Sequence, residues 1–509
     1  MAFQRRCLVG LAIAVGLCGC AVGPNYLAPD LAVPVRFGAA ARQVVAQDML
    51  PEPEIVLWWQ TLRSPVLNRL VEKAVECNLD IEIALARVQA LRTQQIVVIG
   101  AALPTLGANA AIAAGSGTDL TKGRAAGSLR SGTDETGLRS ITRIAGFDAQ
   151  WELDLFGRYR RTLEAVRADA EALADIRSAV LITVIADVAR NYVSLRGLQA
   201  RLAIRRFAIS AAQKNVDIVQ ARFDAGLTNE LDLTLAKREL ATFEALVPEL
   251  EAAIFHAESQ LGVLLGTFSA ELLPELRKAG PIPRPPARLR AGVPADLLRR
   301  RSDIRSAERQ LAAATARIGV ATADLFPAVS VSAGVGAQGG VRSGAAASPK
   351  SFPIWSAGPS VYWPLLDFGR LDALINVREL EAHEQFVTYK RTILVAVEEV
   401  NDAIQQYRAQ QRRLRRLAAA LEQSRRAVDL AIERYDRGLT DFLNVLDAQR
   451  QAFALEDQNA IAQEVLAVYY IALYKALGGG WELYDALPPL KRAEPALLAM
   501  VRRLRHDWQ

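Results

Sequence analysis

Histidine and cysteine are nearly absent from this 509-residue chain, with three of the first and four of the second. Cys7, Cys18 and Cys20 fall in the first twenty residues, so Cys77 stands alone in the remainder. One thiol makes no intramolecular disulfide, and His256, His383 and His506 are isolated, so no zinc-type spacing exists. An excess of charge of one sign is also missing: 61 Lys+Arg against 55 Asp+Glu leave +6, too little over this length to argue a nucleic-acid partner. Beyond the first twenty residues no run of about 18 apolar residues is found, which excludes a bundle of transmembrane helices. Any passage through a membrane would have to be a β-barrel. With 51% hydrophobic and 23% charged residues, a disordered chain is excluded too.

What is present begins with a processing signal. Arg5 and Arg6 form a basic stretch, and Leu8 to Leu17 an apolar one of signal-peptide length. Leu17-Cys18-Gly19-Cys20 resembles a bacterial lipobox, which implies cleavage before Cys20 and a covalent, palmitate-type lipid there. No other cofactor and no metal is called for. Ala21, being non-acidic, implies export to the outer membrane in lipoproteins of this kind.

An internal repeat organises the rest. Trp151-Glu-Leu-Asp-Leu-Phe156-Gly157-Arg158 returns as Trp363-Pro-Leu-Leu-Asp-Phe368-Gly369-Arg370, an offset of 212. Arg222-Phe-Asp-Ala-Gly226-Leu227-Thr228 returns as Arg434-Tyr-Asp-Arg-Gly438-Leu439-Thr440 at the same offset. Upstream, Asp80 and Pro104 match Asp303 and Pro327 at an offset of 223, the difference falling in a Gly/Ser/Thr-rich loop. The chain reads as a signal over 1–19, a lipidated extended segment over 20–63, repeat 1 over 64–266, a Pro-rich linker over 267–291, repeat 2 over 292–480 and a tail over 481–509.

Within each copy, apolar residues recur every seven positions: Ala174 to Phe223 in the first and Phe386 to Tyr435 in the second. Such a stripe is a coiled-coil seam. From Arg370 to Tyr435 is 66 residues, about 100 Å of helix at 1.5 Å per residue. Gly226 and Gly438 should end these helices, with Thr228 and Thr440 as N-caps of the returning ones. A third helical stretch is expected over Pro65–Gly100 and again over Pro294–Asp324.

Elsewhere the period is two. Phe147, Ala149, Trp151 and Leu153 alternate with Asp148, Gln150 and Glu152, and Val361, Trp363 and Leu365 alternate with Ser360 and Tyr362. Four strands are expected, near 103–113, 141–153, 326–336 and 355–366, flanking loops at Gly115–Gly137 and Gln338–Pro353. Apolar-out, polar-in alternation is a transmembrane barrel pattern, but four strands close no barrel and lipid tolerates no open edge. Several chains must combine.

These residues resemble the TolC/OprM-like outer-membrane efflux proteins, lipoprotein branch. Further matches are Gly23-Pro24-Asn25-Tyr26, Trp58-Trp59, Leu297 to Arg305, Val445 to Arg450 and Leu477-Gly478-Gly479-Gly480-Trp481. The resemblance implies a mainly α fold with a membrane β-barrel: a homotrimer with four strands per chain in a 12-stranded barrel, joined to a long periplasmic α-helical barrel. It implies a lipid-anchored exit duct in the bacterial outer membrane. The implied partners are outer-membrane lipid, a periplasmic adaptor (membrane fusion) protein and an inner-membrane efflux transporter that hands over drugs or other small molecules. Tyr435, Asp447 and Arg450 match family gate positions; in the first repeat Phe223, Leu235 and Arg238 stand there, without the acid. Asn444 occupies a position where some members carry a second aspartate. Gly226-Leu227-Thr228 and Gly438-Leu439-Thr440 are implied adaptor-docking tips, and Phe156-Gly157-Arg158 and Phe368-Gly369-Arg370 turn strand into helix.

Other readings remain open at this point: a duct for polypeptides, or a non-conducting lipid-anchored coiled-coil scaffold. No enzyme is found. Gly334-Val-Gly336-Ala-Gln-Gly339 matches G-x-G-x-x-G but is expected to run into a loop rather than open a helix, as a dinucleotide site requires. Asp367-Phe368-Gly369 spells a kinase triplet without the accompanying kinase motifs.

Overall fold

The computed structural model describes residues 21–31, 34, 55–116, 139–268, 274–286, 294–342 and 350–484. Cys20, residues 117–138, His506 and the basic end of the chain lie outside them. The described chain is mainly helical with one four-stranded sheet. The helices are α1 Pro65–Cys77, α2 Leu79–Ala101, α3 Arg158–Asp224, α4 Glu230–Ala245, α5 Val247–Leu264, α6 Pro294–Arg300, α7 Ser302–Ala323, α8 Arg370–Asp436 and α9 Phe442–Leu477, with single turns besides. The strands are β1 Thr105–Ser116, β2 Arg139–Leu153, β3 Ala328–Arg342 and β4 Lys350–Tyr362.

The duplication is visible in the backbone. Helices α3 and α8 are both 67 residues long and start 212 positions apart. The sheet runs β1-β2-β3-β4, antiparallel throughout. Thr105 opposite Gln150 in the first hairpin becomes Ala328 opposite Tyr362 in the second, the register that the two repeat offsets require. Trp151 Nε1 donates to the Ala102 carbonyl at 3.0 Å, and its counterpart Trp363 donates to the Leu325 carbonyl at 3.1 Å.

Several expectations are corrected. The third helical stretch is two helices in each repeat, α1/α2 and α6/α7, broken at the equivalent residues Asn78 and Arg301. Asn78 stops one helix and starts the next, since its Oδ1 accepts from the Asp80 and Ile81 amides. Trp363 and Leu365 lie just past the end of β4, and β3 and β4 extend well into the expected Gln338–Pro353 loop. Gly334, Gly336 and Gly339 are therefore strand residues. At Gly336 a Cβ would stand 2.6 Å from the Ala145 carbonyl oxygen, so this glycine permits close strand approach. Helix α9 is by length and composition able to cross a membrane, with mean hydropathy 1.3 over its most apolar window, half of which is buried within the chain.

The chain forms two compact units: Met1–Pro29 with Gln89–Ala172 and Ala307–Tyr389, and Asp30–Val88 with Leu173–Ser306 and Lys390–Gln509. In the first, the sheet has two unlike faces. Leu106, Phe147, Ala149, Trp151, Val331, Val335, Trp355 and Val361 share one; Asn109, Asp148, Gln150, Ser330, Ser332 and Ser360 share the other. The polar face bonds to itself, Asn109 Nδ2 donating to Asp148 Oδ1 at 2.9 Å and Ser330 meeting Ser360 at 2.8 Å. The larger apolar residues of the opposite face are exposed, Trp355 at 77%. Gly157 and Gly369 adopt positive φ at the strand-to-helix turns, and Asp154 and Asp367 accept amides of the helices that follow. In the second unit the core gathers Trp58, Trp59, Tyr407, Tyr470 and Tyr474, with Trp58 stacked on Tyr474. In the described part of the Pro-rich linker Ile282 and Pro283 are buried, and the Tyr407 hydroxyl donates to the Pro286 carbonyl.

Candidate functional site

Two helix-hairpin tips carry the candidate site residues. Helix α3 ends in a Schellman motif: the Leu227 amide bonds to the Arg222 carbonyl and Gly226 to Phe223, with Gly226 at φ 70°. Helix α8 repeats it, Leu439 to Arg434 and Gly438 to Tyr435, with Gly438 at φ 71°. Each glycine supplies the left-handed step that lets the chain reverse. The N-caps fall one residue later than expected. Asn229 caps α4 by accepting the Asp232 amide, while Thr228 donates to the Asp232 carboxylate. Asp441 is the N-cap of α9 without a side-chain cap bond, and Thr440 accepts from Asn444. An extra residue in each turn moves the cap off the threonine.

Leu227 and Leu439 are exposed in the turns, and so are Leu231 and Leu443 in the first turn of the returning helices. Each tip thus presents two exposed leucines. Phe156 and Phe368 differ although they are repeat partners. Phe156 stacks on Phe326 with ring centroids 4.7 Å apart, whereas Phe368 is 92% exposed and itself takes a positive φ. Arg158 pairs with Glu152 and Asp324, and Arg370 opens α8.

Tyr435 and Arg450 are brought together with the first hairpin. Tyr435 packs on a core of Val216, Val219, Leu233, Ala236, Phe442, Val445 and Leu446. The Arg222 guanidinium lies 4.7 Å above its ring, a cation–π contact. Arg450 reaches Glu239 through two donors, Nη2 to Oε2 at 2.7 Å and Nε to Oε1 at 3.3 Å. That hydrogen bond, then the Glu239 charge, raises the Arg450 pKa against a small desolvation effect, and Asp447 adds to it. Asp447 itself is exposed, and among the described residues no ion pair holds it.

Away from the tip, polar contacts continue between α3 and α9. Asn215 donates to Gln449, Arg201 grips Asp457 with two donors, and Ser194 donates to Glu464. Ser194, Arg201, Asn215 and Arg222 stand on a seven-residue spacing, one position before the apolar seam. Burial pushes the Glu464 carboxyl above the ordinary carboxylate range, partly offset by Ser194 and Arg201. Gly197 leaves space for that carboxyl: a Cβ there would stand 2.2 Å from it.

Glu239 and Arg222 were not singled out by sequence reasoning. A signal existed for Glu239, which interrupts the buried stripe Leu233, Ala236, Phe243 of α4. A charge in such a stripe calls for a partner. Among the described residues no group of His, Cys, Asp and Glu could hold a metal ion. Cys20, the expected lipid site, lies outside the described residues. The segment after it is held, since the buried Arg161 guanidinium donates to the Val22 and Gly23 carbonyls and to Asn25 Oδ1.

Comparison with known proteins places this geometry. A family model described as "Outer membrane efflux protein" matches residues 70–267 and 293–479. Nodulation protein T of Rhizobium leguminosarum bv. viciae is 30% identical, over 91% of this chain and 92% of its own. The pyoverdine export outer membrane protein OpmQ of Pseudomonas aeruginosa is 30% identical, over 95% and 98%. The solved outer-membrane channel OprN superposes with a TM-score of 0.80 at 36% identity, covering 91% of this chain and all of that one.

Proposed function

The chain belongs to the outer membrane efflux protein family, and we propose that it is the exit duct of a tripartite efflux pump. The observation that carries this is the sheet: one face apolar except for Arg143, one polar face and two unpaired edges, with β2 and β4 continuing into helices of about 100 Å. An apolar face with free edges suits lipid once neighbouring copies close the edges. Eight strands enclose side chains or at most one small ligand, so two copies make no open channel. Three copies, with 12 strands, are the smallest set that leaves a lumen, lined by Asn109, Asp148, Gln150 and the serines.

In this reading Cys20 carries the lipid, the strands span the outer membrane and α3–α5 with α8 and α9 cross the periplasm. The resting constriction is the second tip. Tyr435 and Arg450 are tied to the first hairpin by Arg222 and Glu239, and the exposed Asp447 is presented toward the other copies. Each tie runs through a single arginine that is a few kcal/mol at most from release, so a partner competing for these groups can open the tip. The leucine pairs at 227/231 and 439/443 are the docking contacts for a periplasmic adaptor, which links the duct to an inner-membrane transporter. The cargo is small molecules, drugs among them; a relative named for pyoverdine export supports this over polypeptide secretion.

Charge on the apolar sheet face tests the duct. Phe147→Arg and Val335→Arg, paired mid-strand on that face, should each block insertion into outer-membrane vesicles, since a lipid-facing arginine costs roughly 2–4 kcal/mol at the midplane. Insertion and export that survive both changes would put the sheet outside lipid and end the reading.

A further inference from the structure

Within the second unit, against the Pro-rich linker, lies a cavity of about 880 Å³, and we propose that it binds a small-molecule anion with an apolar body. The site goes beyond the duct reading and does not depend on it. Four stretches of chain build the walls. Leu62 to Val66, entering α1, form one, and the linker over Lys278 to Arg284 forms the next. One side of α3 gives Tyr192, Arg196, Ala200 and Ile204, each a helical turn apart. Helices α8 and α9 close the rest with Leu421, Arg425, Glu456 and Ala460. An occupant therefore touches repeat 1, the linker and repeat 2 at once. The walls are tied together in advance. Arg196 Nη1 donates to the Lys278 carbonyl at 2.5 Å, and Gln199 Nε2 to the Leu276 carbonyl at 2.7 Å. The Ser64 and Tyr192 hydroxyls meet at 2.8 Å. Gly280 passes so near α3 that a Cβ there would stand 3.3 Å from Arg196 Cζ. Ligand cavities are usually roughly 300–1,000 Å³ and largely pre-formed, and a site that needs no ordering loses little affinity on binding.

Charge selects the occupant. The lining holds five cations, Arg63, Arg196, Lys278, Arg284 and Arg425, against one acid, Glu456. That acid is already taken, since Arg425 holds it through Nε at 2.9 Å and Nη2 at 2.6 Å. Arg63, Lys278 and Arg284 are exposed, and no acid among the described residues pairs with them. The whole chain carries a net charge of only +6, so this excess is a local concentration. Between the cations the lining is apolar, with Val66, Ala200, Ile204, Pro281, Leu421 and Ala460. A neutral apolar molecule would leave the cations without a counter-charge, and inorganic phosphate would leave the apolar wall in water. A carboxylate or phosphate carried on an apolar body of drug size satisfies both, with charge-assisted bonds to the guanidinium and ammonium groups.

Calorimetric titration of the full-length protein in lipid nanodiscs tests the site; detergent is avoided because it competes for apolar cavities. The probe is N-acetyl-diphenylalanine, one carboxylate on two apolar rings, with its C-terminal amide as the neutral control and inorganic phosphate as the charge-only control. The carboxylate should bind at least about tenfold more tightly than either control, and more weakly as salt rises. Lys278→Gln with Arg284→Gln, both at exposed positions, should weaken it about tenfold. Ala203→Trp, at an exposed position in the lining, should block the cavity and abolish binding with the helix content of the parent retained. Equal affinity for the amide, or for phosphate, overturns the proposed chemistry. Binding that survives all three substitutions places the ligand elsewhere and overturns the site, and no binding of the carboxylate to the parent protein does the same. Each of these failures leaves the duct standing, because insertion and export are read separately.

Discussion

The two helical hairpins share a frame and differ in what is mounted on it. Both leave a 67-residue helix through a Schellman turn at Gly226 or Gly438, and both present two leucines at the tip. On the return, the first hairpin breaks between α4 and α5 before Pro248, where the second, with Ala460, runs unbroken through α9. The first has Leu235 where the second has Asp447, and the buried Glu239 where the second has Gln451. Duplication has kept the groups that fix the backbone, and the polar groups around the tip have diverged. The divergence is complementary, because the acid of the first hairpin holds the arginine of the second.

The comparison breaks most severely if the proline is moved. Ala460→Pro puts a ring into the interior of α9 and removes a helix hydrogen bond, and about 3 kcal/mol or more should be lost. Pro248→Ala should shift stability by no more than about 1 kcal/mol. Thermal melts followed by circular dichroism give both values, and equal losses would mean that the break in the first hairpin is not set by Pro248.

Next in size is the tie between hairpins. Arg450→Ala leaves Glu239, only 6% exposed, without its cation, and about 1–3 kcal/mol should go. The repeat partner change Arg238→Ala, at an exposed position, should stay within about 0.5 kcal/mol. Gly197→Ala comes third. Its repeat partner is already Ala409, but only at 197 does a Cβ meet the Glu464 carboxylate, so a clash of about 1–3 kcal/mol should cancel or exceed the roughly 1 kcal/mol that alanine gains over glycine in a helix interior. A Gly197→Ala variant stabilised by that full amount would show that Glu464 moves aside freely.

The smallest effect is one of pH. The folded chain holds the Glu464 proton to higher pH than the unfolded chain does, because burial raises its pKa above 4.5. The folded state therefore binds more protons across that window, and stability falls as pH rises through it. Glu464→Gln should remove this dependence, its advantage over the parent growing as pH climbs from 4.5. Parallel stability curves for the two proteins would contradict the assignment.

Much of the frame was legible in the sequence because glycine, period and repeat are local signals. The fixed offset of 212 paired the two long helices. The expected span of the second, Arg370 to Tyr435, stops one residue short of the observed end, and Gly226 and Gly438 marked the turns that follow. The helix break at Asn78 was missed because Pro65–Gly100 keeps its apolar pattern across it; only the side chain's bonds to two following amides impose the interruption. The ends of β3 and β4 were missed because glycines, read as loop, are strand residues where backbones approach closely. At the tip, Tyr435, Asp447 and Arg450 came from the resemblance, but the partners Arg222 and Glu239 belong to the other repeat, more than 200 residues away. No spacing rule reaches across that separation.

The central claim, a duct closed at its second hairpin tip, is tested most directly by single-channel conductance in a planar bilayer. The parent protein would be compared with Asp447→Ala, Tyr435→Phe and, at the repeat-partner position, Leu235→Ala. The account predicts small, mostly closed events in the parent and in Leu235→Ala, and large openings in Asp447→Ala and Tyr435→Phe. A wide pore in all four would remove the gate from the second tip, and no conductance from any of them despite a folded oligomer would contradict the duct.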